Sequence, residues 1–127
     1  MNQRFQKHEH LRSPLDFRRV YDRKWSVSDD CLVIYACTNQ LAHSRIGLSV
    51  SRKNGGAVVR NRFRRLYREA FRLMKSDLPV GLDFILIPRS PREPGLEELK
   101  KSLANLTRRL ERRLIQPEAK PMDGPGL

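Results

Sequence analysis

The chain has 127 residues, of which 39% are hydrophobic, and a formal net charge of +12. This length suits one domain with a modest core, and the charge is typical of proteins that bind nucleic acid or another polyanion. The longest apolar runs are about six residues, which excludes a transmembrane span. The N-terminal stretch lacks the apolar core of a signal peptide. We therefore expect a cytoplasmic protein with no membrane partner.

The N-terminal part predicts a flexible segment followed by a short helix. Residues 1–12 are polar and basic, and we expect them to be a flexible N-terminus. A Ser-Pro pair at 13 and 14 marks the start of the helix, which ends near residue 23. Phe17, Val20 and Tyr21 share one face of it, and we interpret Val20 as a core residue. Phe17 and Tyr21 could either pack on a sheet or form a stacking platform for unpaired bases, and their spacing does not decide between these roles.

Three segments have the composition of β-strands: Leu32–Thr38, Arg45–Ser51 and Leu82–Ile87. The connection between the first two is short and polar, which predicts an antiparallel hairpin. The second segment alternates, so Ile46, Leu48 and Val50 should point inward and Gly47 outward. The third segment is nearly all apolar, which predicts a central strand covered on both faces.

The cysteines and histidines do not form the pattern of a metal site. Cys31 and Cys37 lie roughly 20 Å apart in an extended strand, too far to form a disulfide with each other. We interpret them as buried thiols of a reducing cytoplasm. His8 and His10 stand without a nearby group of other ligands, and we interpret them as surface residues.

The segment from Ala57 onward predicts a helix with an apolar stripe on one side and arginines on the other. The stripe consists of residues three or four apart: Val59, Phe63, Leu66, Ala70 and Leu73. The arginine ridge beside it consists of residues four apart: Arg60, Arg64, Arg68 and Arg72. Like charges at this spacing repel one another, and the planar guanidinium suits phosphate oxygens. We therefore predict that this helix binds nucleic acid.

The C-terminal part predicts a second long helix and a tail. Leu96–Ile115 carries leucines three or four apart, which indicates a core stripe, and four arginines in its last turns, which we interpret as solvated. Residues 116–127 are rich in proline and glycine and are expected to be a disordered tail, which leaves 13–115 as a single RNA-binding domain. The element order is α-β-β-α-β-α. It predicts an α+β fold, a two-layer sandwich of one mixed β-sheet with helices.

The stretch SRKNGGAVVRNRFRRLYRE, from Ser51 to Glu69, resembles the signature of the bacterial ribonuclease P protein subunit. That family's pattern runs basic–Lys–x–Gly–x–Ala–Val–x–Arg–Asn–Arg–x–basic–Arg–x–x–Arg–Glu. The resemblance extends over residues 11–114 and includes the aromatic first helix and Arg89. Tyr21 stands where the family often has phenylalanine, and Ser90 stands where a second basic residue is common.

This resemblance implies the protein subunit of a ribonucleoprotein that removes the 5′ leader from precursor tRNA. The implied partners are the ribonuclease P RNA subunit and precursor tRNA, with no small-molecule substrate. Hydrolysis and the catalytic Mg²⁺ would belong to the RNA subunit, so the protein alone would contain no catalytic residue and bind no metal. The implied fold is that of ribosomal protein S5 domain 2, with a left-handed βαβ crossover.

The resemblance also implies two sets of contacts, carried over by position. The implied contacts with the RNA subunit are Arg60, Asn61, Arg62, Arg64, Arg65 and Arg68. The implied contacts with the precursor-tRNA leader are Phe17, Tyr21, Tyr35, Arg52, Lys53 and Arg89. Glu69 is interpreted as structural, through an ion pair within its helix with Arg65 or Arg72.

Other functions remain open from the residues alone. A basic ribosomal protein, or another structured-RNA-binding protein without a role in tRNA processing, would share the charge and the arginine helix. A protein-only nuclease would need clustered acids or a poised histidine, and the acids here are scattered along the chain. A DNA-binding module is least favoured, because neither helix-turn-helix nor zinc-finger spacing is present.

Overall fold

The computed structural model describes residues 7–115, which form a four-stranded β-sheet with three α-helices. The helices are α1 (Pro14–Arg23), α2 (Ala57–Met74) and α3 (Leu96–Ile115). The strands are β1 (Ser26–Ser28), β2 (Leu32–Thr38), β3 (Arg45–Leu48) and β4 (Leu82–Pro88). Within this part of the chain, no helix is long and apolar enough to cross a membrane. The predicted tail, 116–127, lies outside the described residues.

The strand order in the sheet is β1-β2-β4-β3. β2 is antiparallel to both β1 and β4, whereas β3 runs parallel to β4. The predicted hairpin between residues 32–38 and 45–51 is therefore wrong, because β4 lies between the two strands. β4 is buried on both faces, and a strand of this kind gains most from a central position. The prediction that it is central is confirmed, and β3-α2-β4 forms a parallel crossover.

β1 is a strand that the sequence did not indicate. It has three residues, Ser26–Ser28, of which only Val27 is apolar and buried. Its register places Ser26 opposite Tyr35 and Val27 opposite Ile34. β1 therefore forms one edge of the sheet, next to β2.

The main core lies between one face of the sheet and the helices α2 and α3. β2 and β4 point alternate side chains toward it: Leu32, Ile34, Ala36, Leu82, Phe84 and Leu86. The helices contribute Phe63, Leu99 and Leu103 from the stripes predicted from the sequence, and Tyr67 from beside the stripe of α2, each at most 1% exposed. These two layers confirm the predicted α+β sandwich.

The opposite face of the sheet is covered by α1, and only in part. Val20 is fully buried there, as predicted, and packs with Cys37 and Ile85. Gly47 points toward this face as predicted, but the face is covered at that point, because the ring of Phe17 lies directly over it. Any Cβ at position 47 would clash with this ring. A glycine is therefore required for α1 to lie this close to β3.

The end of the predicted flexible N-terminus, from residue 7 onward, lies against the outer side of β3. His10 forms a parallel bridge with Ile46, and the Leu11 backbone N donates a hydrogen bond to the Ile46 carbonyl at 2.7 Å. The side chain of Leu11 is 3% exposed. The segment is held there because an edge strand offers unpaired backbone groups, which residues 10 and 11 satisfy. Residues 1–6 lie outside the described part.

Candidate RNA-binding surfaces

Three aromatic side chains meet where α1 leaves the sheet uncovered. The ring centroids of Phe17 and Tyr21 are 6.4 Å apart, and those of Tyr21 and Tyr35 are 4.9 Å apart in an edge-to-face arrangement. All three side chains are half-buried, as is Ile87 on the same face. We call Phe17, Tyr21 and Tyr35 the aromatic groove. Half-exposed rings of this kind can stack on unpaired bases without selecting a sequence.

Local sequence positions α1 over this groove. The helix begins as predicted: the Ser13 hydroxyl accepts a hydrogen bond from the Leu15 backbone N at 3.2 Å, and Pro14 occupies the first turn. Phe17 and Tyr21 are one turn apart on the sheet side, so both rings line the groove. Leu15 lies on the other side and is 76% exposed.

An ion cluster fastens α1 to the same face of the sheet. The Asp83 carboxylate on β4 is fully buried and accepts hydrogen bonds from Arg45 at 2.7 and 2.8 Å, from Asn39 at 2.9 Å and from Arg19 of α1. Burial alone would raise the pKa of Asp83, but the hydrogen bonds from these three side chains outweigh it and lower the pKa. The sequence analysis missed this cluster. A single acid in an otherwise apolar strand was the signal, because a buried charge needs partners.

Three cations predicted to contact the leader lie at one end of the groove. Because β3 and β4 are parallel, they end at the same side of the sheet. Arg52 and Lys53 follow β3 in the exposed 3₁₀ turn Arg52–Asn54, and Arg89 follows β4. The Arg89 guanidinium donates to the Ser28 hydroxyl at 2.6 Å. All three cations therefore lie on the side of the sheet at which β3 and β4 end, with Arg89 bound to β1 and with Arg52 and Lys53 following β3 at the other edge.

The six residues predicted to contact an RNA subunit all lie on α2, but on two sides of it. On one side, Arg64 and Arg68 line a cleft of about 300 Å³ together with Arg12 and Phe17. Burial, and the nearby charges of Arg64 and Arg12, lower the pKa of Arg68. Within residues 7–115, neither Arg64 nor Arg68 forms an ion pair with an acid. This cleft is therefore a cationic surface that adjoins the aromatic groove.

The other side of α2 is partly neutralised. Arg62 pairs with Glu93 at 3.0 Å, and both border a depression lined by Arg65. Glu69 accepts two hydrogen bonds from Arg72, at 2.7 and 3.0 Å, which agrees with its predicted structural role. The hydrogen bond from Arg72 lowers the pKa of Glu69.

The two other residues of the predicted set are Asn61 and Arg60. The Asn61 side-chain oxygen accepts a hydrogen bond from Arg64 at 3.1 Å. Because Asn61 is a neutral partner, this bond does not neutralise the charge of Arg64. The Arg60 Nε atom is buried and has no hydrogen-bond partner among the described residues.

The carboxylates near these surfaces form ion pairs with arginines and do not cluster with one another. Among residues 7–115, no three His, Cys, Asp or Glu side chains are placed to hold a metal ion. Cys31 and Cys37 are free thiols, and burial raises the pKa of both. What the two surfaces offer a ligand is aromatic rings and guanidinium groups, which suit the bases and phosphates of a nucleic acid.

Comparisons with known proteins agree with this chemistry. The family model described as Ribonuclease P matches residues 5–111. The ribonuclease P protein component of Clostridioides difficile strain 630 is 38% identical over 109 residues, which cover 84% of this chain and 96% of that protein. The corresponding protein of Petrotoga mobilis is 37% identical over 114 residues, or 86% of this chain and 97% of that protein. The solved RNase P protein from Thermotoga maritima has a TM-score of 0.73 at 32% identity, covering 80% of this chain and 96% of that one.

Proposed function

The chain belongs to the ribonuclease P protein family, whose members are the protein component of an endoribonuclease that processes the 5′ end of tRNA, and from this premise we propose how it binds RNA. In this proposal, the aromatic groove binds the single-stranded leader of precursor tRNA. The arginines of α2 bind the RNA subunit. The protein positions the substrate, and hydrolysis takes place on the RNA.

The proposal rests mainly on the edge-to-face contact of Tyr21 and Tyr35, whose ring centroids are 4.9 Å apart. Phe17 lies beside them, on the sheet face that α1 covers only in part. Such rings stack on bases of any identity, as a leader of variable sequence requires. Arg52, Lys53 and Arg89 would contact the leader phosphates at the border of the groove. Mature tRNA has no leader, so the groove would favour the precursor over the product.

The proposed contact with the RNA subunit rests on unpaired charge. Arg64 and Arg68 lie side by side with no acidic partner in the part of the chain that the structure describes. Phosphates of a folded RNA would relieve their repulsion, and guanidinium groups can bind phosphate oxygens in pairs. Arg60, Asn61, Arg62 and Arg65 would extend this contact along α2.

Magnesium would be held by the RNA subunit rather than by this chain. Mg²⁺ prefers oxygen ligands and retains several waters, so it needs carboxylates or phosphates that are free to coordinate it. The carboxylates near the two surfaces are engaged: Asp83 with Arg45 at 2.7 Å and Glu93 with Arg62 at 3.0 Å. RNA phosphates are the alternative source of such oxygens. The two unbridged thiols favour a reducing cytoplasm as the place of action.

The experiment that tests the groove compares precursor and mature tRNA. Phe17→Ala should weaken binding of precursor tRNA to the assembled holoenzyme by roughly ten- to a hundredfold, because stacking contributes about 1–3 kcal/mol per base. Binding of mature tRNA should be nearly unchanged. Leu15→Ala, on the exposed side of the same helix, is the matched control and should change neither affinity.

The competing role for Phe17 is purely structural. In that case Phe17→Ala would lower the free energy of unfolding by about 3–5 kcal/mol, and both tRNAs would bind more weakly to the same extent. Equal losses of affinity for precursor and mature tRNA would therefore contradict leader binding in the aromatic groove.

A further inference from the structure

A second group of cations lies at the β1 edge of the sheet, and the proposed function does not use it. It consists of Arg23 at the end of α1 and of Arg109 and Arg113 in the last turns of α3, and all three are exposed. We call these three residues the β1-edge patch. Arg52 and Lys53 follow β3, at the opposite edge of the sheet.

A backbone contact places the end of α3 at this edge. The Arg113 guanidinium donates a hydrogen bond to the Ser26 carbonyl of β1 at 3.2 Å, on the open side of the outermost strand. Arg109 is one turn earlier on the same side of α3. Arg108 lies on the opposite side, where it borders a depression with Met74 and Asp77 of the α2 end. Only one side of this arginine-rich turn therefore faces β1.

Arg23 adds a flat surface to the patch. Its guanidinium carbon is 3.8 Å from the ring centroid of Trp25, which is itself half-buried. Between them, Lys24 has a left-handed backbone (φ 62°) and turns the chain from α1 into β1. A guanidinium plane held against an aromatic ring is a surface on which an unpaired base can stack.

The patch is continuous with the aromatic groove. Tyr35 of the groove is directly opposite Ser26 in the register of β1 and β2, so the two residues are about 5 Å apart. A strand that passes over Tyr21 and Tyr35 and continues in the same direction reaches β1, and the patch lies beyond it. The groove and the patch thus form one path across the sheet.

The patch also has excess charge with no internal partner. Residues 108–113 contain four arginines and one acid, Glu111. Among residues 7–115, no salt bridge joins Arg23, Arg109 or Arg113 to an acid, and the exposed Asp22 next to Arg23 forms none with it. An external polyanion would relieve the repulsion among these cations.

We propose that the part of the leader farthest from the tRNA body leaves the aromatic groove over β1 and binds the β1-edge patch. Arg109 and Arg113 contact its phosphates, and the Arg23–Trp25 pair stacks on one of its bases. This inference rests on the proposed function and deepens it, because it makes the affinity depend on leader length. Short leaders end within the groove, whereas long leaders reach the patch.

The test uses the assembled holoenzyme and two precursor tRNAs, with leaders of about 4 and about 15 nucleotides. The test variant is Arg109→Gln/Arg113→Gln. The matched control is Arg108→Gln/Arg112→Gln, which removes the same charge from two exposed arginines, also one turn apart, on the other side of α3. We expect the test variant to bind the long-leader precursor about fivefold more weakly and to lose about one released counterion per lost phosphate contact from the salt dependence. Binding of the short-leader precursor should change less than about twofold, and the control should affect neither.

Three results would overturn the β1-edge site. They are an equal loss for both leader lengths, an equal loss in the control variant, and no loss at all. Phe17→Ala measured on the same substrates separates this failure from that of the groove. If Phe17→Ala weakens precursor binding selectively and Arg109→Gln/Arg113→Gln does not, only the extension over β1 is wrong. Melting temperatures of the arginine variants should match that of the wild type, because these arginines are exposed.

Discussion

The two faces of the β-sheet differ in how completely the helices cover them. The side chains that β2 and β4 direct toward α2 and α3 are at most 5% exposed, and all of them are apolar. On the opposite face, α1 covers only part of the sheet. Tyr35 and Ile87 remain half-exposed there, and the buried centre includes the charged Asp83.

This difference teaches that stability and RNA binding depend on different faces of one sheet. The closed face buries large apolar side chains from two long helices, which is the main source of folding free energy. The open face keeps its rings accessible and holds α1 by an ion cluster and a close contact at Gly47 rather than by a full core. Substitutions of large apolar side chains should therefore affect stability most on the closed face and leader binding most on the open face.

The largest expected effect is on the closed face. Phe63→Ala should lower the free energy of unfolding by about 3–5 kcal/mol, because it leaves a cavity beside Tyr67 in the centre of the main core. Phe17→Ala, on the open face, should cost clearly less. Urea unfolding of both variants measures the difference. Equal destabilisation would mean that the open face carries as much of the fold as the closed one.

The next effect concerns Asp83, a buried charge on the open face. Asp83→Asn should destabilise the protein at neutral pH by about 2–4 kcal/mol, because Arg45 and Arg19 lose their shared carboxylate. Since the folded-state pKa of Asp83 lies below the ordinary value of 3.8, its contribution is complete above that pH and is lost as the pH falls through the folded value. Unfolding free energies measured from roughly pH 5 down to pH 2 should fall more steeply for the wild type than for the variant. Parallel curves would contradict the ion-cluster interpretation.

Substitutions of Arg64 and Arg68, at the border of the open face, should change the salt dependence of RNA binding rather than the stability of the fold. Arg64→Ala/Arg68→Ala should lower the salt dependence of binding to the RNA subunit by about one released counterion per lost phosphate contact. Arg72→Ala is the matched control on the same helix, because Glu69 already neutralises that charge at 2.7 Å. Titrations at several salt concentrations provide the slopes. Identical slopes for the double variant and the wild type would show that the cleft does not contact phosphate.

The smallest effect returns to the closed face. The Tyr67 hydroxyl is buried and has no hydrogen-bond partner within residues 7–115, and burial raises the pKa of this phenol. Tyr67→Phe removes an unsatisfied polar group and should stabilise the protein by about 1 kcal/mol. A melting curve measures the gain. A loss of stability would reveal a partner for the hydroxyl.

The helices and the main core followed from the sequence, because their signals are local. The apolar stripes of α2 and α3 repeat every three or four residues, and they contain the buried Phe63, Ala70, Leu99 and Leu103. Arginine is the commonest residue of α2 outside its stripe, so the basic surface was visible as well. Phe17 and Tyr21 were recognisable as a pair on one face of α1, although only the structure shows their contact with Tyr35.

The predictions that were wrong or missing concern contacts between residues that are far apart in the sequence. The short turn between β2 and β3 suggested a hairpin, but β4 inserts between them, and strand pairing of this kind has no local signal. β1 has one apolar residue in three, too little for periodicity to detect. Gly47 was placed on the correct face, yet nothing next to it in the sequence shows that Phe17 lies over it. Asp83 was counted among scattered acids, whereas its arginines come from α1 and β3.

The position of β4 also determines the order in which the protein can assemble during synthesis. β2 and β3 emerge from the ribosome first, but both pair with a strand that begins only at Leu82. Until β4 is made, β2 and β3 each have an edge without a pairing strand. Pairing between strands far apart in sequence is slow, because the entropy cost of closing the loop precedes the favourable contacts. The backbone hydrogen bonds of α2 are local, and α2 is translated before β4. The arginines of α2 are therefore made before the strand that completes the sheet beneath the aromatic groove.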